Sequence, residues 1–83
     1  MCKIDIEKVE LYQINEIENH RVSGTFFIEY AINGNRDLLN NINVSVVVHS
    51  KEISNSFNFK QVDFNELEKI LVNRAKDVFR KII

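Results

Sequence analysis

Apolar residues fall at every second position through long stretches of the first two thirds of the chain, and at every third or fourth position over the remainder. A period of two places side chains on alternate faces of a strand, and a period near 3.6 marks one face of a helix. The pattern predicts strands first and a single helix last. The first strand is predicted within residues 3–14, "KIDIEKVELYQI", where Ile4 and Ile6 share one parity and Val9 and Leu11 the other. One inserted residue near Glu7-Lys8 resets the alternation and returns all four to one face. The following "NEIENH" reads as a polar turn.

The second strand is predicted over about residues 20–32, with Val22, Phe26, Ile28, Tyr30 and Ile32 pointing one way. Gly24 stands in that row, where a strand glycine marks a bend or a close approach, here as space for a helix aromatic. Asn33-Gly34 is the strongest short hairpin signal in the chain, because a type I′ turn needs positive φ at both central positions. Since "NRDLLNN" follows before clean alternation resumes at Ile42, the favoured reading is a loop over residues 33–41. A short hairpin leading into an irregular strand is the alternative. The loop sets Ile32 opposite Ile42, Tyr30 opposite Val44, Ile28 opposite Val46 and Phe26 opposite Val48, with Phe27 opposite Val47 on the other face. Aligned apolar rows are what normally fix register.

The third strand is predicted at residues 42–50 and the fourth at residues 53–60, "ISNSFNFK", joined by a tight turn at "SKE". The charged first strand and polar fourth strand suit sheet edges. The helix follows from "VDFNELEKILVNRAKDVFRKII", with Asp63 as N-cap, Glu66 completing a capping-box pair and Val62 and Leu67 as a hydrophobic staple. Phe64, Leu67, Ile70, Leu71, Ala75, Val78, Phe79 and Ile82 form its apolar stripe. Early acids and late bases, Glu66 and Glu68 against Arg80 and Lys81, suit the helix dipole. The expected fold is α+β: a four-stranded antiparallel β-meander with one C-terminal amphipathic α-helix packed on one face (ββββα), as a single domain over residues 1–83.

Composition narrows the function classes. The 83 residues are 45% apolar and 28% charged, which fits one globular core and argues against disorder. Eleven basic residues against twelve acidic ones give a net charge of −1, without the basic excess usual in nucleic-acid binders. No stretch approaches the ~20 apolar residues of a membrane span, and "MCKIDIEKVE" has no apolar core of a secretory signal, so a membrane partner is not expected. The single cysteine, Cys2, fits a reducing compartment and a cytoplasmic location. Abundant Asn and Ile with no Pro suggest an AT-rich coding sequence, typical of low-GC bacteria and their phages.

No phosphate-binding loop, dinucleotide fingerprint or paired-cysteine zinc spacing is present, and no carboxylates stand at an acid–base spacing. No cofactor and no catalytic role are expected. A metal site would need His20, His49 and a carboxylate such as Glu29 to converge, which nothing in the pattern requires. The first candidate surface is the second sheet face, with Phe27 and Val47 as a small apolar island ringed by Arg21, Glu29, His49, Asn58 and Lys60. Its plain reading is a stabilising cross-strand pair, and its functional reading is an aromatic anchor with a polar rim. The second candidate surface is the outer helix face, Lys69, Asn73, Arg74, Lys76, Asp77, Arg80 and Lys81, whose plain reading is a solvated charged face.

The apolar end, Ile82 and Ile83, either caps the core or packs against another subunit, and small domains often gain core by forming a homodimer. The leading functional expectation is a small non-enzymatic protein-interaction module, in its specific form a phage or mobile-element accessory or inhibitor protein binding a host protein. Four strands followed by one helix also resembles the element order of the transcriptional-coactivator type of single-stranded-DNA-binding domain. That resemblance implies the alternative of a dimeric single-stranded nucleic-acid binder, with Lys60, Arg21 and His49 gathered around Phe27 as a stacking platform. A small structural or assembly subunit is the third expectation. At the level of the helix, Asp63→Ala is expected to lower stability by about 1 kcal/mol, read from the urea midpoint.

Overall fold

Three β-bulges decide how the first strand lies. In the computed structural model, which describes residues 3–82, β1 runs Ile4–Ile17, β2 Arg21–Ile32 and β3 Asn35–His49, in the antiparallel order β1-β2-β3. The register of β1 on β2 shifts between Ile6 and Lys8, between Leu11 and Gln13, and between Ile14 and Glu16. Each shift restores the inward parity. Ile4, Ile6, Val9, Leu11, Ile14 and Ile17 therefore face the same way, opposite Ile32, Tyr30, Ile28, Phe26, Gly24 and Val22. The bulge expected at Glu7 is present. The other two carry the strand through Ile17, so the polar turn shrinks to Glu18–His20, closed by Glu18 N–H donating to Arg21 O at 2.7 Å.

The loop expected over residues 33–41 is instead a tight hairpin. Asn33 and Gly34 both take positive φ, 54° and 76°, as a type I′ turn requires, and Asn35 already pairs with Ile32. The irregularity lies further on: Ala31 faces the whole of Arg36–Leu39 before Asn40 pairs with Tyr30. Ile42 consequently lies opposite Ile28 rather than Ile32, and Val44, Val46 and Val48 lie opposite Phe26, Gly24 and Val22. A slip of four residues leaves every side chain on its own face, so the alternation alone could not separate the two registers.

The expected fourth strand is also corrected. After β3 the chain coils, with Ile53 and Ser54 N–H both donating to Ser50 O, at 2.9 and 3.0 Å. Short 3-10 turns occupy Ser50–Glu52 and Phe59–Gln61. The Ser- and Asn-rich segment makes local bonds that compete with a sheet ladder: Asn58 Oδ1 accepts from Lys60 N–H at 2.9 Å. Phe59 enters the core with Phe57 edge-on at 5.2 Å, and its N–H reaches Asn19 O at 2.9 Å. The i, i+2 aromatic spacing that imitated a strand is a plug closing one end of the sheet. The edges are therefore β1 and β3.

Helix α1, Phe64–Ile82, starts where expected, with Asp63 Oδ1 accepting from Glu66 N–H at 2.8 Å. Leu67, Leu71, Ala75 and Phe79 are buried against Val22, Phe26, Ile28, Val44, Val46, Val48 and Phe59. Phe64 and Ile82, assigned to the stripe, lie at the two helix ends and stay exposed. Gly24 admits a close approach of the neighbouring strand rather than a helix aromatic: a Cβ there would stand 3.2 Å from the Gln13 backbone carbonyl oxygen, while Leu11 and Leu71 lie at ordinary contact distance. Phe79 stacks at a tilt on Tyr30, centroids 5.0 Å apart. The helix thus runs antiparallel to β3 and lies nearest that strand. Cys2 and Ile83 lie outside the described residues. Leu71→Ala is expected to cost about 2–5 kcal/mol in the urea midpoint, because its side chain joins helix to sheet with no exposure. A loss under about 0.5 kcal/mol, the level of ordinary surface changes, contradicts that assignment.

Candidate functional site

The outer sheet face does not assemble the expected island. Phe27 is half-buried between Glu10 of β1 and Asn43 of β3, whereas Val47 faces Ser23. The Thr25–Ser45 pair separates them. A polar relay reaches that point, with Gln13 Nε2 donating to Asn15 Oδ1 at 2.6 Å and Asn15 Nδ2 donating to Thr25 Oγ1 at 3.0 Å. Arg21 lies opposite His49 at the end of the face, its guanidinium 2.6 Å from Glu16 Oε1. Glu29 lies opposite Lys8 and Asn41. The hydrogen bond and charge of Glu10, 2.9 Å from Lys8 Nζ, raise the lysine's pKa above its ordinary value, and Glu29 adds to the shift. Asn58 and Lys60 leave this face altogether, carried by the plug after β3. Of the seven residues expected here, the structure brings together only Arg21 with His49.

The helix cations also separate. Arg74 swings to the β3 side and ion-pairs with Glu52. Arg80 Nη1 stands 3.7 Å from Asp77 Oδ1. Lys76 and Arg80 border β1, Lys69 lies beside Val72 and Asn73, and Lys81 is exposed in the last turn. Glu52 has a second bond, accepting His49 N–H on Oε2 at 2.9 Å. That backbone bond, followed by Arg74, holds its pKa below the ordinary 4.5.

The surface that sequence reasoning missed runs between α1 and β1. Most inward residues of β2 and β3 are sealed, with Phe26 at 0% and Val46 at 2% exposure, and only Tyr30, Ile32 and Ile42 toward the hairpin end are half-buried apolar positions. On the same sheet face, Ile4, Ile6, Val9, Leu11 and Ile14 are only half-buried. The cause is width. Three strands spaced about 4.8 Å span about 14 Å, while one helix covers about 10 Å. Because α1 lies nearest β3, the uncovered strip falls on β1. A groove of about 400 Å³ opens there, lined by Ile4, Asp5, Ile6, Lys76, Phe79 and Arg80. The signal was legible in principle: a sheet wider than its one helix must leave an apolar row partly bare, and the row on the charged edge strand is the one left.

His20 and His49 share a shallow cleft of about 350 Å³ with Ser50, Lys51 and Asn55, and His20 Nδ1 lies 3.1 Å from Ser50 Oγ. Among the described residues no group of three His, Cys, Asp or Glu side chains is placed to hold a metal ion, and no helix is long and apolar enough to cross a membrane. Comparison with protein-family models, curated proteins and solved structures finds no match.

Glu52 gives a pH-dependent prediction. A carboxylate whose folded pKa is lowered contributes stability that is present above its unfolded value and lost as pH falls through the folded one. Glu52→Gln should lower stability at pH 7 by about 1 kcal/mol or less, since the pair is partly solvated. Denaturation curves of the two proteins should converge as the pH drops below 4.5. A gap that persists in acid contradicts the charged staple.

Proposed function

We propose that the chain is a small non-enzymatic protein-interaction module that receives an apolar segment of another protein in the groove between α1 and β1. One observation carries the reading: five inward apolar side chains of β1 share a face with the sealed core yet remain half-buried, beside an open groove. Burying such a strip against a partner returns about 25 cal/mol per Å² of apolar surface. Ile4, Ile6 and Phe79 lie among the charged Asp5, Lys76 and Arg80, a mixed lining in which apolar contacts are bordered by polar groups as in a protein-binding patch. The Asn- and Ile-rich, proline-free composition supports the narrower reading of a phage or mobile-element accessory or inhibitor protein acting on a host protein in the cytoplasm. The nucleic-acid alternative loses its expected platform, because Arg21 and His49 stand at the end of the face and Lys60 lies off it.

The test is retention of a host protein from nuclease-treated lysate by tagged wild type, Ile6→Lys and Phe27→Ala, with melting curves confirming that each variant folds. The expected result is a specific protein retained by wild type and Phe27→Ala and lost with Ile6→Lys. Loss with Phe27→Ala alone would move the site to the outer sheet face. Retention of nucleic acid in untreated lysate, abolished by nuclease, would replace the reading with the single-stranded binder.

A further inference from the structure

The open edge of β3 differs from that of β1. Ser50 N–H donates to His20 O at 2.8 Å, so even-numbered positions of β3 bond to β2. His49 N–H points the other way and is taken by Glu52. By the alternation of an antiparallel ladder, the N–H and C=O groups of Asn41, Asn43, Ser45 and Val47 all face outward. Among the described residues no side chain hydrogen-bonds to them. Proteins normally blunt such an edge with charge, proline or bulges. β1 has three bulges and the charges of Asp5, Glu7, Lys8, Glu10 and Glu16. From Asn40 to His49, β3 carries no charged residue, no proline and no register shift.

We infer that β3 pairs with β3 of a second copy of this chain, antiparallel about a two-fold axis at Val44, forming one continuous sheet from the three strands of each copy. The register follows from Glu52. With His49 N–H already bonded, the free positions Asn41 to Val47 are centred on Val44. The axis there sets Asn41 against Val47 of the second copy and Asn43 against Ser45, and each outward N–H meets a carbonyl. Odd positions face odd positions, so Ile42 and Val46 meet on the inner face and the apolar row continues across the join. No like charges are opposed, which is what makes the strand self-complementary.

A second feature selects another copy over an unrelated strand. The same register brings Leu39 of one copy level with His49 of the other, and Leu38 level with Ser50. Leu38 and Leu39 are 69% and 41% exposed in the bulge of β3. Beside His49 and Ser50 lies a groove of about 220 Å³ with a mixed lining, Val48, Ile53 and Ile70 together with polar residues that include Glu52 and Arg74, and Ile53 itself is 44% exposed. The exposed leucines meet the aliphatic part of that lining once the copies pair. The inference is independent of the α1–β1 groove, because β1 forms the two outer edges of the joined sheet and both grooves stay open.

Sedimentation equilibrium of the full chain should return a dimer at micromolar concentration. Asn43→Lys/Ser45→Lys should weaken self-association by about a hundredfold or more, since lysines then oppose lysines across the axis, while the monomer keeps its melting transition. In a Cys2→Ser background, an equimolar mixture of Asn43→Cys and Ser45→Cys chains should cross-link on mild oxidation far better than either alone. Directly bonded positions stand about 5.5 Å apart at Cα, within disulfide reach. A monomer up to near-millimolar concentration overturns the inference. So does a dimer indifferent to the two lysines, or one broken instead by Ile6→Lys. The first two outcomes leave the groove with its own test, whereas the third would seat the second copy in the groove that Ile6 lines.

Discussion

The structure rests on one helix covering one sheet. Leu67, Leu71, Ala75 and Phe79 are the only helix residues in the fully buried set, and they meet the inward rows of β2 and β3. No second helix is present among the described residues to share that work. Everything distinctive about the surface follows from the mismatch in width. Val22, Phe26 and Ile28 of β2 and Val44, Val46 and Val48 of β3 are dry, the row on β1 is half-wet, and Phe59 joins the buried core from the segment after β3. A chain of this size has little apolar area in reserve, so where the cover falls short is also where a partner has most to gain.

The two edges solve the same problem differently. β1 is broken by bulges at Glu7, Tyr12 and Asn15 and studded with charge, which twists it and spoils it as a template. β3 is straight and neutral along its inner half and is stopped only at His49, where the Glu52 carboxylate takes the outward N–H. That carboxylate also anchors Arg74, so one side chain ties the strand end, the 3-10 turn and the helix together. The asymmetry gives the molecule a guarded side and an open side.

Local chemistry was legible in the sequence wherever one residue decides a backbone state. Asp63 caps the helix, Asn33-Gly34 turns the hairpin, and the parity break at Glu7 marks a bulge. Other features stayed hidden. Tyr12 and Asn15 each insert one residue, and the spacing of three from Leu11 to Ile14 to Ile17 carries the same parity break as Ile6 to Val9, but ending the strand at Ile14 and reading "NEIENH" as a turn left both breaks unused. The β2–β3 register hid because slips by even numbers preserve the faces, and the long bulge at Arg36–Leu39 took up the difference. This error also misplaced the candidate site. Phe27 and Val47 share a face as expected, but the true register puts Thr25 and Ser45 between them. The fourth strand failed for another reason: in residues 53–60 side-chain bonds to the local backbone and one buried phenylalanine outcompeted a ladder.

The most direct measurement is the accessibility of individual methyl groups to a soluble paramagnetic agent, read by NMR relaxation in a methyl-labelled sample. Strong relaxation is expected for Ile4, Ile6, Val9 and Leu11 and near silence for Val44, Val46 and Val48, although all seven share one sheet face. Equal protection of the two rows would mean that the helix, or some other element, covers β1 as fully as β3, and the uneven cover on which the functional reading stands would be wrong.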